Sequence, residues 1–221
     1  MAATADTSCR GSTFYDNFNG QYLLRDGQTS PNGKWKNVYS GYGSTGVKYN
    51  YDGRNAFWLC PQSATSAAVT HGAEVQSTAT FCNFSMKVDM NTVQPLRKNS
   101  PANTWEVGWL FFRYVDDHHH YYFLVKPNGI ELGKKDCDIC KDPVDGDQVY
   151  LVTKTFPTLK MNTWNKVQID MIGNHIWVWW NGNLVIDYID KTMSPKLASG
   201  KIAMYSEDAY VLYDNMYVRP W

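Results

Sequence analysis

Hydrophobic residues in this chain alternate with polar ones over short segments, and no long stripe repeats at helical spacing with caps at its ends. The alternating segments include Phe81–Met90, Glu106–Tyr114, Tyr121–Lys126, Val167–Ile172, His175–Trp180, Leu184–Tyr188, Lys201–Tyr205 and Tyr210–Val218. Turn-forming residues punctuate them at Pro127-Asn128-Gly129, Gly173-Asn174, Asn181-Gly182 and Ser199-Gly200. A two-residue period broken by turns predicts an all-β chain of antiparallel strands, a sandwich or a barrel. The Ser/Thr/Gly/Tyr-rich stretch Gln28–Asp52 reads as a long surface loop with short edge strands. No linker or repeat divides the chain, so residues 1–221 form one domain, with 1–12 as a flexible N-terminus.

Composition narrows the function. The chain is 43% hydrophobic and 19% charged, which excludes intrinsic disorder. Lys plus Arg equals Asp plus Glu at 21 each, so no basic surplus exists to neutralise nucleic-acid phosphates. No apolar run is long enough for a transmembrane helix, so no membrane insertion is expected. Nine Trp and fifteen Tyr exceed what core filling asks for. Five cysteines leave at least one thiol free or paired between chains. Cys137-Asp138-Ile139-Cys140 lacks the second ligand pair of a zinc site and reads as a loop-pinning disulfide or free thiols.

A Val115–His120 loop pairs Tyr114 with Tyr121, Arg113 with Tyr122 and Trp109 with Lys126; an Asn128-Gly129 turn pairs Lys126 with Glu131. Parity then places Leu110, Phe112, Phe123, Val125, Ile130 and Leu132 on a core face. The opposite face holds Trp109, Arg113, Tyr122, Lys126, Glu131 and Lys135, with Phe111 and Leu124 among them. Aromatics interleaved with charges suit a glycan-binding face; packing against a second layer with charges at the rim is the alternative. His120 shares this face as a candidate proton-transfer group. With His118 and His119 it forms a tract of three adjacent histidines, of which at most two rings can meet one ion. Trp177 and Trp179 share one face of their strand, as a sugar platform or as inter-sheet packing.

Several segments carry a family pattern: Phe14-Tyr15-Asp16-Asn17-Phe18, then Trp109-Leu110-Phe111-Phe112-Arg113-Tyr114, Trp164-Asn165-Lys166-Val167, Ile176-Trp177-Val178-Trp179-Trp180-Asn181-Gly182 and Tyr213-Asp214-Asn215-Met216-Tyr217-Val218. Their order resembles concanavalin A-like, or laminin-G-like, jelly rolls over almost the whole chain. The resemblance implies an antiparallel β-sandwich with a concave glycan-binding face, and a protein that binds or cleaves polysaccharides. It also implies a structural calcium between the terminal strands, carried over to Asp214 and Asp16, whose hard oxygens suit that ion.

The Glu-x-Asp-x-Glu motif of glucanases on this fold is missing. The nearest kinds are the glucuronan- and alginate-type polysaccharide lyases, although Arg-x-Glu-x-Arg and Gln-x-His signatures are also missing. A uronate lyase must neutralise a carboxylate, remove the proton beside it and protonate the leaving oxygen. The residues suited to this are His71, Arg113, Tyr122 and Tyr205 as catalytic groups. Gln94, Arg97, Trp109, His120, Lys126, Glu131 and Lys135 would hold the substrate. The reading is an extracellular protein that depolymerises an acidic polysaccharide by β-elimination. A non-catalytic lectin or binding module is the alternative, and a glycoside hydrolase the second. The expected partner is a poly- or oligosaccharide, and the sequence sets no oligomeric state.

Overall fold

Strand parity sorts the chain into two layers. A computed structural model describes residues 12–50, 53–137 and 148–221. In chain order the strands are β1 (Phe14–Asp16), β2 (Tyr22–Leu24), β3 (Trp35–Tyr39), β4 (Ser44–Tyr49), β5 (Asn55–Cys60), β6 (Gly72–Ser77), β7 (Phe84–Pro95) and β8 (Gly108–Asp116). Then follow β9 (His119–Lys126), β10 (Gly129–Asp136), β11 (Gln148–Lys154), β12 (Asn165–Ile172), β13 (His175–Trp180), β14 (Asn183–Ile189), β15 (Lys201–Glu207) and β16 (Ala209–Pro220). The nine-stranded sheet runs β14-β13-β12-β7-β16-β5-β4-β2, with β1 also on β16; the seven-stranded sheet runs β11-β10-β9-β8-β15-β6-β3. All pairings are antiparallel. This is the expected β-sandwich.

The core lies between the sheets, as alternation requires. Phe84, Met86, Val88 and Met90 of β7 face Leu110 and Phe112 of β8, Phe123 and Val125 of β9, and Ile202 and Met204 of β15, all fully or almost fully buried. Part of the aromatic surplus belongs here. Trp35 sits at the centre of a ring cluster with Phe14 at 5.2 Å, Phe18 at 5.7 Å and Phe57 at 6.4 Å. The stretch read as a loop does contain short strands, β3 at the edge of one sheet and β4 next to the edge of the other. Among the cysteines, Cys82 and Cys137 are disulfide-bonded and Cys60 is free; Cys9 and Cys140 lie outside the described residues.

Both central hairpins pair two residues away from the expected register. The pairs are Trp109↔Leu124 and Phe112↔Tyr121 in one, and Lys126↔Gly129 and Glu131↔Leu124 in the other. A slip of two preserves the two-residue period, so the face assignments survive it. Arg113 is the exception. It adopts φ 47° at a β-bulge where the β8–β9 register shifts, and the side chain that continues the outer face is Tyr114, stacked on Phe111 at 6.0 Å.

Candidate functional site on the seven-stranded sheet

The outer face of the seven-stranded sheet presents one unbroken row of paired residues: Thr153, Glu131, Leu124, Trp109, Tyr205, Glu74 and Tyr39. Beside it runs a second row, Gly133, Tyr122, Phe111, Ala203, Gln76 and Lys36. The rows bring together much of what the sequence placed on one face. Trp109 lies 5.2 Å from the Tyr122 ring and edge-on to Tyr205 at 5.8 Å, and its Nε1 donates to the Trp105 carbonyl. His120 stacks on Phe111 at 4.5 Å, with Nδ1 against the Asp116 carbonyl. Lys126 and Glu131 form a shielded ion pair at 2.5 Å, and Lys135 stands half-buried beside His120.

Two glycines make room for this aromatic layer. A side chain at Gly133 would stand 2.1 Å from the Tyr122 hydroxyl, and one at Gly72 would stand 2.8 Å from the Tyr205 ring. The Tyr122 hydroxyl is buried beside Glu131, and burial, then that carboxylate, pushes its pKa far up. It is therefore held neutral.

Glu74 on β6 is the residue that sequence reasoning missed. It is fully buried, Tyr39 donates to its Oε2 at 3.1 Å, and its Oε1 has no hydrogen-bond partner. Burial, and next the Asp117 charge, raise its pKa to about 8, while Tyr39, Tyr114 and Lys201 act the other way. A carboxyl group in that state carries its proton at neutral pH and can donate it. The available sequence signal was the order Ala73-Glu74-Val75-Gln76, an acid alternating with apolar residues on an interior strand. Glu207 is a diagonal neighbour of Glu74 on β15, about 7–8 Å away by sheet geometry. Its carboxylate accepts from Tyr205 at 3.2 Å, and the Tyr205 pKa is driven well above its usual value by burial, then by Glu207.

A pocket of about 380 Å³ opens at this end of the row, lined by Tyr39, Tyr42, Thr70, His71, Gly72 and Asp26. His71 Nδ1 lies 2.8 Å from the Gln62 carbonyl. A carbonyl only accepts, so Nδ1 carries the hydrogen and the neutral ring keeps its lone pair on Nε2. Tyr39 connects this pocket to Glu74 behind it. The arrangement supplies a base, a hydroxyl relay and a protonated carboxyl group.

Other expected site residues lie elsewhere. The bulge turns Arg113 inward, where its guanidinium donates to the Cys82 carbonyl at 3.0 Å and the Leu197 carbonyl at 2.8 Å; burial lowers its pKa to about 10. Arg97 is buried between two acids, with Glu106 at 2.5 Å and Asp208 at 2.9 Å. Both guanidinium groups are engaged by the protein, so neither is placed to clamp a uronate carboxylate. Gln94 is exposed at the end of β7 in the other sheet. Asp16 accepts from the Phe18 amide, Asn32 and the Trp35 indole, which ties β1 to the Trp35 cluster. Asp214 accepts from Asn215 and neighbours Asp89, which has Arg54 and Lys166 within 4 Å. Asp16 thus spends both carboxylate oxygens on N–H donors, and Asp214 accepts at both oxygens from Asn215.

Two antiparallel sheets packed face to face define a jelly-roll β-sandwich. A carbohydrate-binding module CBM66 from Bacillus subtilis superposes with a TM-score of 0.58 at 15% identity, covering 87% of this chain and 97% of that one. A Bacillus licheniformis β-glucanase gives 0.57 at 14%, covering 96% and 100%. A Bacteroides ovatus mixed-linkage glucan GH16 protein gives 0.55 at 8%, covering 93% and 97%. At these identities the likeness shows the fold. The chain belongs to the family of 3-keto-alpha-glucoside-1,2-lyase-like domains, whose model matches residues 16–219. No curated protein sequence matches it. Among the described residues, no helix is long and apolar enough to cross a membrane.

Proposed function

We propose that this chain cleaves an α-glucoside oxidised at C3, by elimination across C1 and C2, in the pocket beside His71 and Tyr39. The observation that carries the reading is Glu74, a buried, protonated carboxyl group linked through Tyr39 to that pocket. The family description supports the substrate class. A ketone at C3 acidifies the C2 hydrogen, so no arginine is needed to neutralise a carboxylate. His71 Nε2 takes the C2 proton. The freed electron pair moves through the enolate and forms the C1–C2 double bond. The C1–O bond breaks, the departing oxygen takes the Tyr39 hydroxyl proton as that hydroxyl turns toward the pocket, and Glu74 gives its own proton to the Tyr39 oxygen. One glycoside thus gives one unsaturated keto sugar and one alcohol.

A second reading is hydrolysis, favoured by the diagonal placement of Glu74 and Glu207. That mechanism needs two carboxyl groups on one face, and these two share it one strand apart. Glu131 cannot serve in such a pair, because four strand spacings set it about 19 Å from Glu74. Incubation with a 3-keto-α-glucoside separates the outcomes. Elimination gives a conjugated enone with ultraviolet absorbance; hydrolysis gives the free 3-keto sugar without it. Absence of both products overturns catalysis and leaves a binding module.

A further inference from the structure

The opposite side of the sandwich carries a second pocket, of about 440 Å³, on the outer face of the nine-stranded sheet. Its lining includes Asn17, Asn55, Arg54, Asp89, Lys166 and Asp214. Two cations face two carboxylates. Arg54 lies 3.8 Å and Lys166 lies 3.6 Å from the two oxygens of Asp89, and Asn215 donates to Asp89 at 2.9 Å. This balance disfavours an anion and a divalent cation alike. Amide side chains supply both donors and acceptors, and the Asn55 Oδ1 is buried with no hydrogen-bond partner. An uncharged ligand dense in hydroxyl groups matches such a lining.

An indole stands next to the pocket. Trp179 pairs with Gln168, two residues from the pocket's Lys166, so it lies diagonally one strand away, about 7–8 Å by sheet geometry. Ile176, Val178 and Trp180 point into the core, whereas Trp177 and Trp179 are half-buried on the outer face, so inter-sheet packing does not account for them. His175 stacks on Trp177 at 3.6 Å and the Arg54 guanidinium covers the Trp164 ring at 5.0 Å, which leaves Trp179 as the flat surface beside the pocket. We propose that this face is a second, non-catalytic carbohydrate site. It takes a neutral glycan chain with one sugar ring on Trp179 and the hydroxyl groups of the next in the Asn55–Asp89 pocket.

Affinity electrophoresis tests this with amylopectin and mixed-linkage β-glucan as neutral polymers and alginate as the anionic one. At least one neutral polymer should retard the protein, and alginate should not. Trp179→Ala and Asn55→Ala should each weaken that retardation about tenfold, or about 1.4 kcal/mol, at unchanged melting temperature. Trp179→Tyr, which keeps an aromatic face, should restore most of it. His71→Ala, at the other pocket, should retain wild-type retardation. The proposal falls if neither neutral polymer retards the protein, if Trp179→Ala is retarded like wild type, or if His71→Ala alone abolishes the effect.

Discussion

On the outer face of the seven-stranded sheet Glu74 is shut away from water among tyrosines, whereas on the outer face of the nine-stranded sheet Asp89 lies beside two cations. Glu74 is fully buried and protonated; the Asp89 side chain is 13% exposed, with Lys166 at 82% near it. Both faces sit on equally regular antiparallel sheets. The difference is which side chains fill the rows. Tyr39, Tyr114 and Tyr205 surround Glu74, and desolvation then works on its proton. On the other sheet Arg54 and Lys166 lie beside Asp89 and offset its charge. Burial of one acid makes a proton donor, and compensation of another makes a polar cradle.

The strongest way to break this contrast is to remove the buried acid. Glu74→Gln keeps the shape but loses the exchangeable proton, and turnover of a 3-keto-α-glucoside should fall about 10²–10⁴-fold. Wild-type kcat/KM should itself decline above about pH 8, as Glu74 deprotonates. Arg97→Met tests burial without function. It leaves Glu106 and Asp208 as unpaired buried acids and should cost about 3–5 kcal/mol in denaturant unfolding.

Next in size is a pH effect on stability. The native Glu74 carboxyl binds a proton up to about pH 8, while the unfolded chain releases it near its ordinary value of about 4.3. Between those values the native state binds more protons, so stability falls as pH rises, by about 1.4 kcal/mol per unit from this group. Unfolding curves across that range should show the slope, and Glu74→Gln should remove it. Gly133→Ala should cost about 1–3 kcal/mol because its Cβ meets the buried Tyr122 hydroxyl. Lys166→Ala on the other sheet should change stability by no more than about 0.5 kcal/mol.

Part of this site was legible in the sequence, because parity tolerates a slip of two. Trp109, Phe111, Tyr122, Glu131 and Lys126 fell on one face even though both registers were off. The bulge was not legible. Arg113 has no glycine or asparagine to announce its positive φ, so Arg113 and Tyr114 exchange faces without a local signal. The Arg97 pairing was hidden for another reason, since Asp208 lies 111 residues away in the chain. Glu74 stands in a short run of alternating acid and apolar residues, but its shift depends on Tyr39, Tyr114 and Asp117, which only the folded sheet brings near it.

Gly72 and Gly133 have a consequence for binding thermodynamics. The volume each lacks is occupied by a tyrosine ring that cannot swing out without leaving a void. The aromatic floor is thus set before any ligand arrives, and its rotamer entropy is lost during folding, not at association. A sugar landing there should bind with little conformational ordering of the protein, and alanine at either glycine would weaken binding by disturbing a surface it never touches.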